Sequence, residues 1–131
     1  MNKLTKEEEE VIINKATEMP YSGKYDDFWV EGLYCCKRCE TPLYVSSSKF
    51  HSGCGWPSFD QEIKGAIRRD LDKDGKRVEI VCNTCFGHLG HVFEGEHFTK
   101  TNTRHCVNSL SLKFKPKDKL SKSELKILTD N

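Results

Sequence analysis

Four of the seven cysteines in this 131-residue chain form two Cys-x-x-Cys pairs, Cys36/Cys39 and Cys82/Cys85. No other feature restricts the fold so tightly. Each pair sets two thiols on one tight turn, and two such turns complete a four-coordinate shell for zinc. The 42 residues between the pairs exceed the gap of a compact zinc finger. The metal is therefore expected to staple two hairpins that lie far apart in the chain. A redox Cys-x-x-Cys normally occurs once, at a helix start, so the duplication favours metal. A one-sided set of Cys82, Cys85, His88 and His91 would strand Cys36 and Cys39 and crowd four ligands into ten residues. Cys35 reads as a small core side chain on a strand.

A structural metal suits a chain of this size, which can bury a real but modest core. Hydrophobic residues make up 36% and charged residues 31%, with a net charge of +1. That balance gives no electrostatic case for nucleic acid or an anionic membrane as partner. No apolar run is long enough to span a bilayer, and Met1–Glu7 has no apolar signal core. A cytoplasmic protein is expected, where paired thiols stay reduced and mean metal or redox catalysis. One domain over residues 1–131 is expected, and nothing calls for an obligate oligomer, so a monomer is the expectation.

Thr5-Lys6-Glu7-Glu8 forms a capping box that opens a helix, expected to run to about 16–18 before Met19-Pro20. Val11, Ile12, Ala16 and Met19 would line its buried face. From Leu33 the pattern changes to strands and turns, around Leu33–Cys35, Leu43–Val45, Arg77–Cys82 and His91–Phe93. A last strand is expected over Arg104–Phe114, with Cys106, Asn108, Leu110, Leu112 and Phe114 on one side. The tail beyond Pro116 is Lys- and Ser-rich. Asp70–Gly75 imitates the start of a calcium loop, but its twelfth position is Val81 instead of a bidentate Glu. Asp74-Gly75 reads as a hairpin turn instead.

The remaining thiols point to chemistry. Residues two apart on a strand share a face, roughly 6–7 Å along the chain, so Arg104, Cys106 and Asn108 are neighbours. Arg104 can stabilise a Cys106 thiolate, and Asn108 can hold it or a substrate. Cys54 sits between Gly53 and Gly55, which free its backbone to move. Cys106 thus reads as the attacking thiol and Cys54 as the resolving one. Gly87–Phe93 carries His88 and His91 next to the metal pair, where an imidazole can deliver a proton. His51, His97 and His105 read as surface or structural. Trp56, pinned by Pro57, offers an apolar wall for a small methyl-bearing group.

Together these segments resemble the type B methionine sulfoxide reductases, which reduce the R epimer of the sulfoxide. The likeness rests on Thr17–Gly23, Lys49-Phe50, Ser52–Phe59, Gly87–Phe93, Arg104–Ser109 and both Cys-x-x-Cys pairs, and covers roughly residues 4–115, leaving 116–131 as a tail. The resemblance implies a mainly β fold of two antiparallel sheets, tent- or barrel-like, with a peripheral N-terminal helix and a zinc staple remote from the chemistry. It implies Cys106 as nucleophile and Cys54 as recycling cysteine, with His88, His91, Arg104 and Asn108 around them. Trp56 and Phe93 would meet the substrate, and Cys36, Cys39, Cys82 and Cys85 would hold structural zinc. The implied partners are oxidised proteins or peptides carrying methionine (R)-sulfoxide, and thioredoxin as reductant. Many members have an acidic residue four after the second histidine. Here that place is Gly95, between Glu94 and Glu96, which leaves His91, His88 or Glu94 as proton donor. A zinc-ribbon-like binding module and a thiol redox sensor use subsets of the same residues and stand as alternatives.

Overall fold

The computed structural model describes residues 1–131. The N-terminal helix α1 spans Lys6–Ile12, and Thr5 and Glu8 form the expected capping box. The helix ends earlier than expected because Lys15 takes a left-handed backbone with φ of 63°, which no helix continues through. Lys15 instead reaches out to Glu79, 3.1 Å away. Only Val11 and Ile12 of the expected face are buried. Ala16 and Met19 lie exposed beyond the break.

Nine strands follow, numbered here in chain order: β1 Gly32–Cys36, β2 Pro42–Val45, β3 Lys49–Phe50, β4 Ser58–Phe59, β5 Ile67–Leu71, β6 Val78–Cys82, β7 His88–Glu94, β8 Thr103–Val107 and β9 Leu112–Pro116. They form two antiparallel sheets. The smaller has the order β2-β1-β9 and the larger β3-β4-β8-β7-β6-β5. A second helix, α2 Lys122–Asp130, opens on a Ser121/Glu124 capping box. It buries Leu128 against Leu33, Cys35 and Val45, so the tail is ordered. Cys35 is fully buried there, as a small core side chain would be. The fold is mainly β, with two sheets and a peripheral N-terminal helix, as the resemblance implied.

The strand expected over Arg104–Phe114 is two strands in different sheets. Pairing of β8 stops at Val107, a 3-10 turn spans Ser109–Ser111, and Leu112 begins β9 beside β1. The alternation therefore fails after Asn108. It is also reversed with respect to the core. His105 and Val107 are fully buried, whereas Cys106 and Arg104 are only partly so. The thiol thus faces away from the core, onto the open side of the larger sheet. His105 is structural, its Nδ1 lying 2.7 Å from the Tyr44 hydroxyl.

The core lies between the sheets. Tyr44 stacks on Phe59 with ring centroids 4.2 Å apart, and Tyr34 meets Phe59 edge-on at 5.0 Å. These rings join β1 and β2 to β4. Truncating Phe59 removes contacts on both sheets, a loss of about 3–5 kcal/mol. The β5–β6 connection is the hairpin expected around Asp74-Gly75. Asp74 accepts from the backbone N–H groups of Lys76 and Arg77, so its carboxylate is spent on the turn. No helix is long and apolar enough to cross a membrane.

Candidate active site and metal centre

The two Cys-x-x-Cys turns have the same backbone form. The N–H of Glu40 donates to the Cys36 carbonyl, and the N–H of Phe86 to the Cys82 carbonyl, each at 2.8 Å. Glu40 and Phe86 both take left-handed backbones, with φ of 64° and 63°. The left-handed position of the second turn is thus Phe86, not Gly87. Gly87 is needed for close approach instead, since a Cβ there would come 2.8 Å from Ile12 Cγ2.

The turns face each other across the two sheets. The four sulfurs lie within 4.8 Å of one another, with Cys36 to Cys85 at 3.7 Å and Cys39 to Cys82 at 3.5 Å. Tetrahedral zinc–thiolate bonds of about 2.3 Å place sulfurs about 3.8 Å apart. The cluster therefore fits a four-coordinate metal ion and joins the end of β1 to the end of β6. His88 and His91 are not part of it.

Cys106 sits on β8 between two partners, opposite Ser58 of β4 and His91 of β7. Side chains in register share one face of a sheet, so His91 and Cys106 open onto the same cleft. That cleft has a volume of about 180 Å³, and its walls include Cys54, Trp56, His91, Phe93, Arg104, Cys106 and Asn108. Gly90 forms its floor, where a Cβ would strike the Cys106 carbonyl. A roomier cavity of about 410 Å³ beside it, lined by Glu7, Glu8, Glu18 and Lys24 among others, contains no thiol. The smaller cleft holds the reactive groups.

Both cleft thiols are free, and both face the same cleft. Cys54 is drawn down to about 4, first by the neighbouring Cys106 thiol and further by the Ser52 and Ser58 hydroxyls, against the opposing effect of burial. Ser52 donates to its sulfur at 3.0 Å. Cys106 is pushed up by the neighbouring Cys54 and by burial, while Arg104 pulls it down. The two shifts are opposed, which favours the thiolate at Cys54 and the thiol at Cys106. Cys54 already lies beside Cys106. Its glycine-flanked loop is anchored by Tyr21, whose hydroxyl donates to the Gly53 carbonyl and whose N–H donates to the Gly55 carbonyl, both at 2.7 Å.

Arg104 lies over the Phe93 ring, 4.5 Å from its centroid. Its Nε donates to Glu96 Oε1 at 2.8 Å. Asn108 borders the cleft, but its amide is committed elsewhere. Oδ1 accepts from the Glu18 N–H at 3.0 Å, and Nδ2 donates to the Leu89 carbonyl at 3.0 Å. The two histidines also separate. His91 lines the cleft, whereas His88 is buried behind it with Nδ1 2.7 Å from Glu79 Oε2. Burial pushes His88 down, and the Glu79 carboxylate pulls it the other way.

Further residues belong to the site, and of these Asp72 and Arg77 carried no local signal. Thr17 and Arg77 line the cleft, and Asp72 bonds His91. Asp72 and Arg77 flank the hairpin turn, and only the pairing of β6 with β7, Val78 opposite Val92 and Glu79 opposite His91, brings that turn over the cleft. Glu18 accepts at its carbonyl from Trp56 Nε1, 3.0 Å away.

Comparison with known proteins agrees with this geometry. The SelR domain family model matches residues 4–116. The chain is 53% identical over 116 residues to peptide methionine sulfoxide reductase B2, chloroplastic, of Arabidopsis thaliana, covering 88% of this chain and 57% of that protein. It is 55% identical over 120 residues to the chloroplastic B3 protein of Oryza sativa subsp. japonica, covering 91% and 52%. Against the B5 protein of the same plant it is 54% identical over 114 residues, covering 86% and 84%. The chain thus spans little more than half the length of two of these relatives. Among solved structures, the Mis18 'Yippee-like' domain superposes with a TM-score of 0.49 at 15% identity, over 65% of this chain and 95% of that one. With a SelR match over most of its length and half its residues shared with the plant proteins, the chain belongs to the SelR-domain family of type B peptide methionine sulfoxide reductases.

Proposed function

We propose that this protein reduces the R epimer of peptide-bound methionine sulfoxide, with Cys106 as nucleophile and Cys54 as resolving thiol. The observation that carries this reading is the two free thiols, Cys54 and Cys106, facing one cleft walled by Trp56 and Arg104. As substrate enters, the shared proton passes from Cys106 to Cys54, and the charge moves to Cys106 beside the Arg104 guanidinium. The Cys106 thiolate attacks the sulfoxide sulfur while a proton is delivered to the sulfoxide oxygen. The attack joins the two sulfurs, the protonated oxygen leaves the substrate sulfur as water, and water adds to the Cys106 sulfur as the S–S bond breaks, so that methionine leaves, a proton is released and Cys106 is a sulfenic acid. The Cys54 thiol condenses with it, releasing water and forming a disulfide. A dithiol such as thioredoxin returns both cysteines to thiols by exchange.

The roles divide by position. Trp56 and Phe93 contact the methyl-bearing end of the substrate. His91, which opens on the cleft, supplies the proton, and the buried His88 supports it from behind. Asn108 holds the end of the Cys106 strand. Cys36, Cys39, Cys82 and Cys85 hold zinc, which supplies no chemistry to the cleft and fixes the two sheets to each other. The unit is a single domain over residues 1–131 that acts as a cytoplasmic monomer on oxidised proteins.

Stereospecific turnover tests this reading. Separate R and S epimers of a peptide methionine sulfoxide are given with dithiothreitol to the wild type and to Cys106→Ser. Reduction of R alone, lost in the variant, is the expected result. Reduction of neither epimer by folded, zinc-loaded protein would refute it.

A further inference from the structure

We infer that Glu18 is a positioning residue for the cleft: it ties Trp56 and the turn after Cys106 into one wall. This rests on the reductase reading for what the cleft binds, but the clamp itself is read from geometry. Residues 15–20 form no helix or strand, so this segment is held by what it bonds. Glu18 makes four such bonds. Its N–H donates to Asn108 Oδ1 at 3.0 Å, and its carbonyl accepts from Trp56 Nε1 at 3.0 Å. Its carboxylate accepts from the N–H of Ser109 at 2.8 Å and the N–H of Leu110 at 3.2 Å.

The last two bonds fill a vacancy. The first N–H groups of the Ser109–Ser111 turn have no partner within the turn, and Asn108 before it makes no side-chain cap. A carboxylate some 91 residues away in sequence supplies that cap, by charge-assisted bonds stronger than neutral ones. The place where the chain changes sheets, two residues after Cys106, is thus locked to the residue that holds the Trp56 indole. Thr17, next to Glu18, faces the cleft, while the Glu18 side chain faces the adjoining larger cavity. Gly23 completes the clamp. A Cβ there would strike Ser109 Oγ and crowd the Glu18 carboxylate. Gly23→Ala therefore disturbs the same contact from the other side.

The clamp shapes the substrate wall and leaves the thiols untouched. Its loss weakens ground-state and transition-state binding alike, which raises KM and spares kcat. The experiment uses a Trp29→Phe background, so that Trp56 is the sole indole. In that background Glu18→Ala, Glu18→Gln and Gly23→Ala are compared for iodide quenching of Trp56 emission and for kinetics on a peptide methionine (R)-sulfoxide with dithiothreitol. Glu18→Ala and Gly23→Ala should make Trp56 more accessible to iodide and raise KM about tenfold, with kcat within about twofold. Glu18→Gln, which keeps one acceptor oxygen, should fall between and answers the question if the alanine variant does not fold. Unchanged quenching and KM in a folded variant, or a fall in kcat with KM unchanged, would overturn the clamp. If the parent protein reduces no sulfoxide, the reductase reading fails. Iodide quenching then decides the clamp alone: increased access supports it and unchanged access refutes it.

Discussion

His91 Nε2 lies 2.8 Å from Asp72 Oδ2, across the gap between β7 and the hairpin that joins β5 to β6. The Asp72 carboxyl is held below the usual carboxylate range, first by this bond and then by the Lys73 N–H. It is therefore an anion at neutral pH, and His91 must present an N–H to it, which fixes the imidazole tautomer. Asp72→Asn should release that tautomer and lower kcat about tenfold while leaving the fold intact. The ¹⁵N shifts of the His91 ring report the tautomer, and steady-state kinetics report the loss. An unchanged tautomer would show that another group orients His91.

The thiol pair makes a second prediction. Cys106 is pushed up chiefly by the neighbouring Cys54, with Arg104 acting against it. In Cys54→Ser the charged neighbour is gone, so the Cys106 thiol should ionise at lower pH than in the wild type. Alkylation of Cys106 by iodoacetamide as a function of pH reads this directly. The same variant should complete one turnover and form methionine, yet fail to cycle with thioredoxin. Normal cycling would remove Cys54 from the resolving role.

His105 predicts how stability responds to acid. Burial pushes it down to about 4 from the 6.5 of an unperturbed histidine. Above pH 6.5 neither the folded nor the unfolded state binds the proton, and its contribution is complete. As pH falls from 6.5 towards 4, the unfolded chain takes up a proton that the folded protein refuses. Stability should then drop by about 3 kcal/mol over that window. Urea melts at pH 7.5 and pH 4.5 would show this fall, and His105→Gln should have a shallower slope. An equal slope in the variant would assign the acid sensitivity to other groups.

For the metal centre, Cys39→Ser should reduce bound zinc from one equivalent per chain to near zero and lower Tm by more than about 10 °C. Atomic absorption and a thermal melt measure the two together. Because no ligand of this cluster lines the cleft, residual activity should track the folded fraction. Lost zinc with an unchanged Tm would mean that the sheets hold each other without it.

How much of this could be read from the chain depends on how local each signal is. The Cys-x-x-Cys turns, the Thr5/Glu8 box and the Asp74-Gly75 hairpin are encoded within a few residues, and each appears in the fold. Cys54 and Cys106 stood out by their neighbours. The change of sheet at Ser109–Ser111 did not, because Asn108-Ser109 carries no proline or glycine and the apolar alternation runs on through it. Lys15, just past the end of α1, takes a left-handed backbone and pairs with Glu79, a tertiary contact that periodicity cannot reveal. Asp72, Arg77 and Glu18 join the site only through strand pairing or contacts about 90 residues apart. The alternation does not reveal that Arg104 and Cys106 face the open side of β8, since the apolar residues after Asn108 belong to another sheet.

The matched cysteine turns also bear on the order of events in folding. Bringing Cys36 and Cys39 to Cys82 and Cys85 closes the 42 residues between them, which costs about 3 kcal/mol of chain entropy before any contact between the sheets repays it. A metal ion captured by one turn and then the other closes that loop early, while the strands are still unpaired. The pairing of β1 with β9, strands that flank the closed segment, would then take place over a much shorter path. A bound ion would thus ease assembly of the smaller sheet, although no ligand of its cluster lines the cleft.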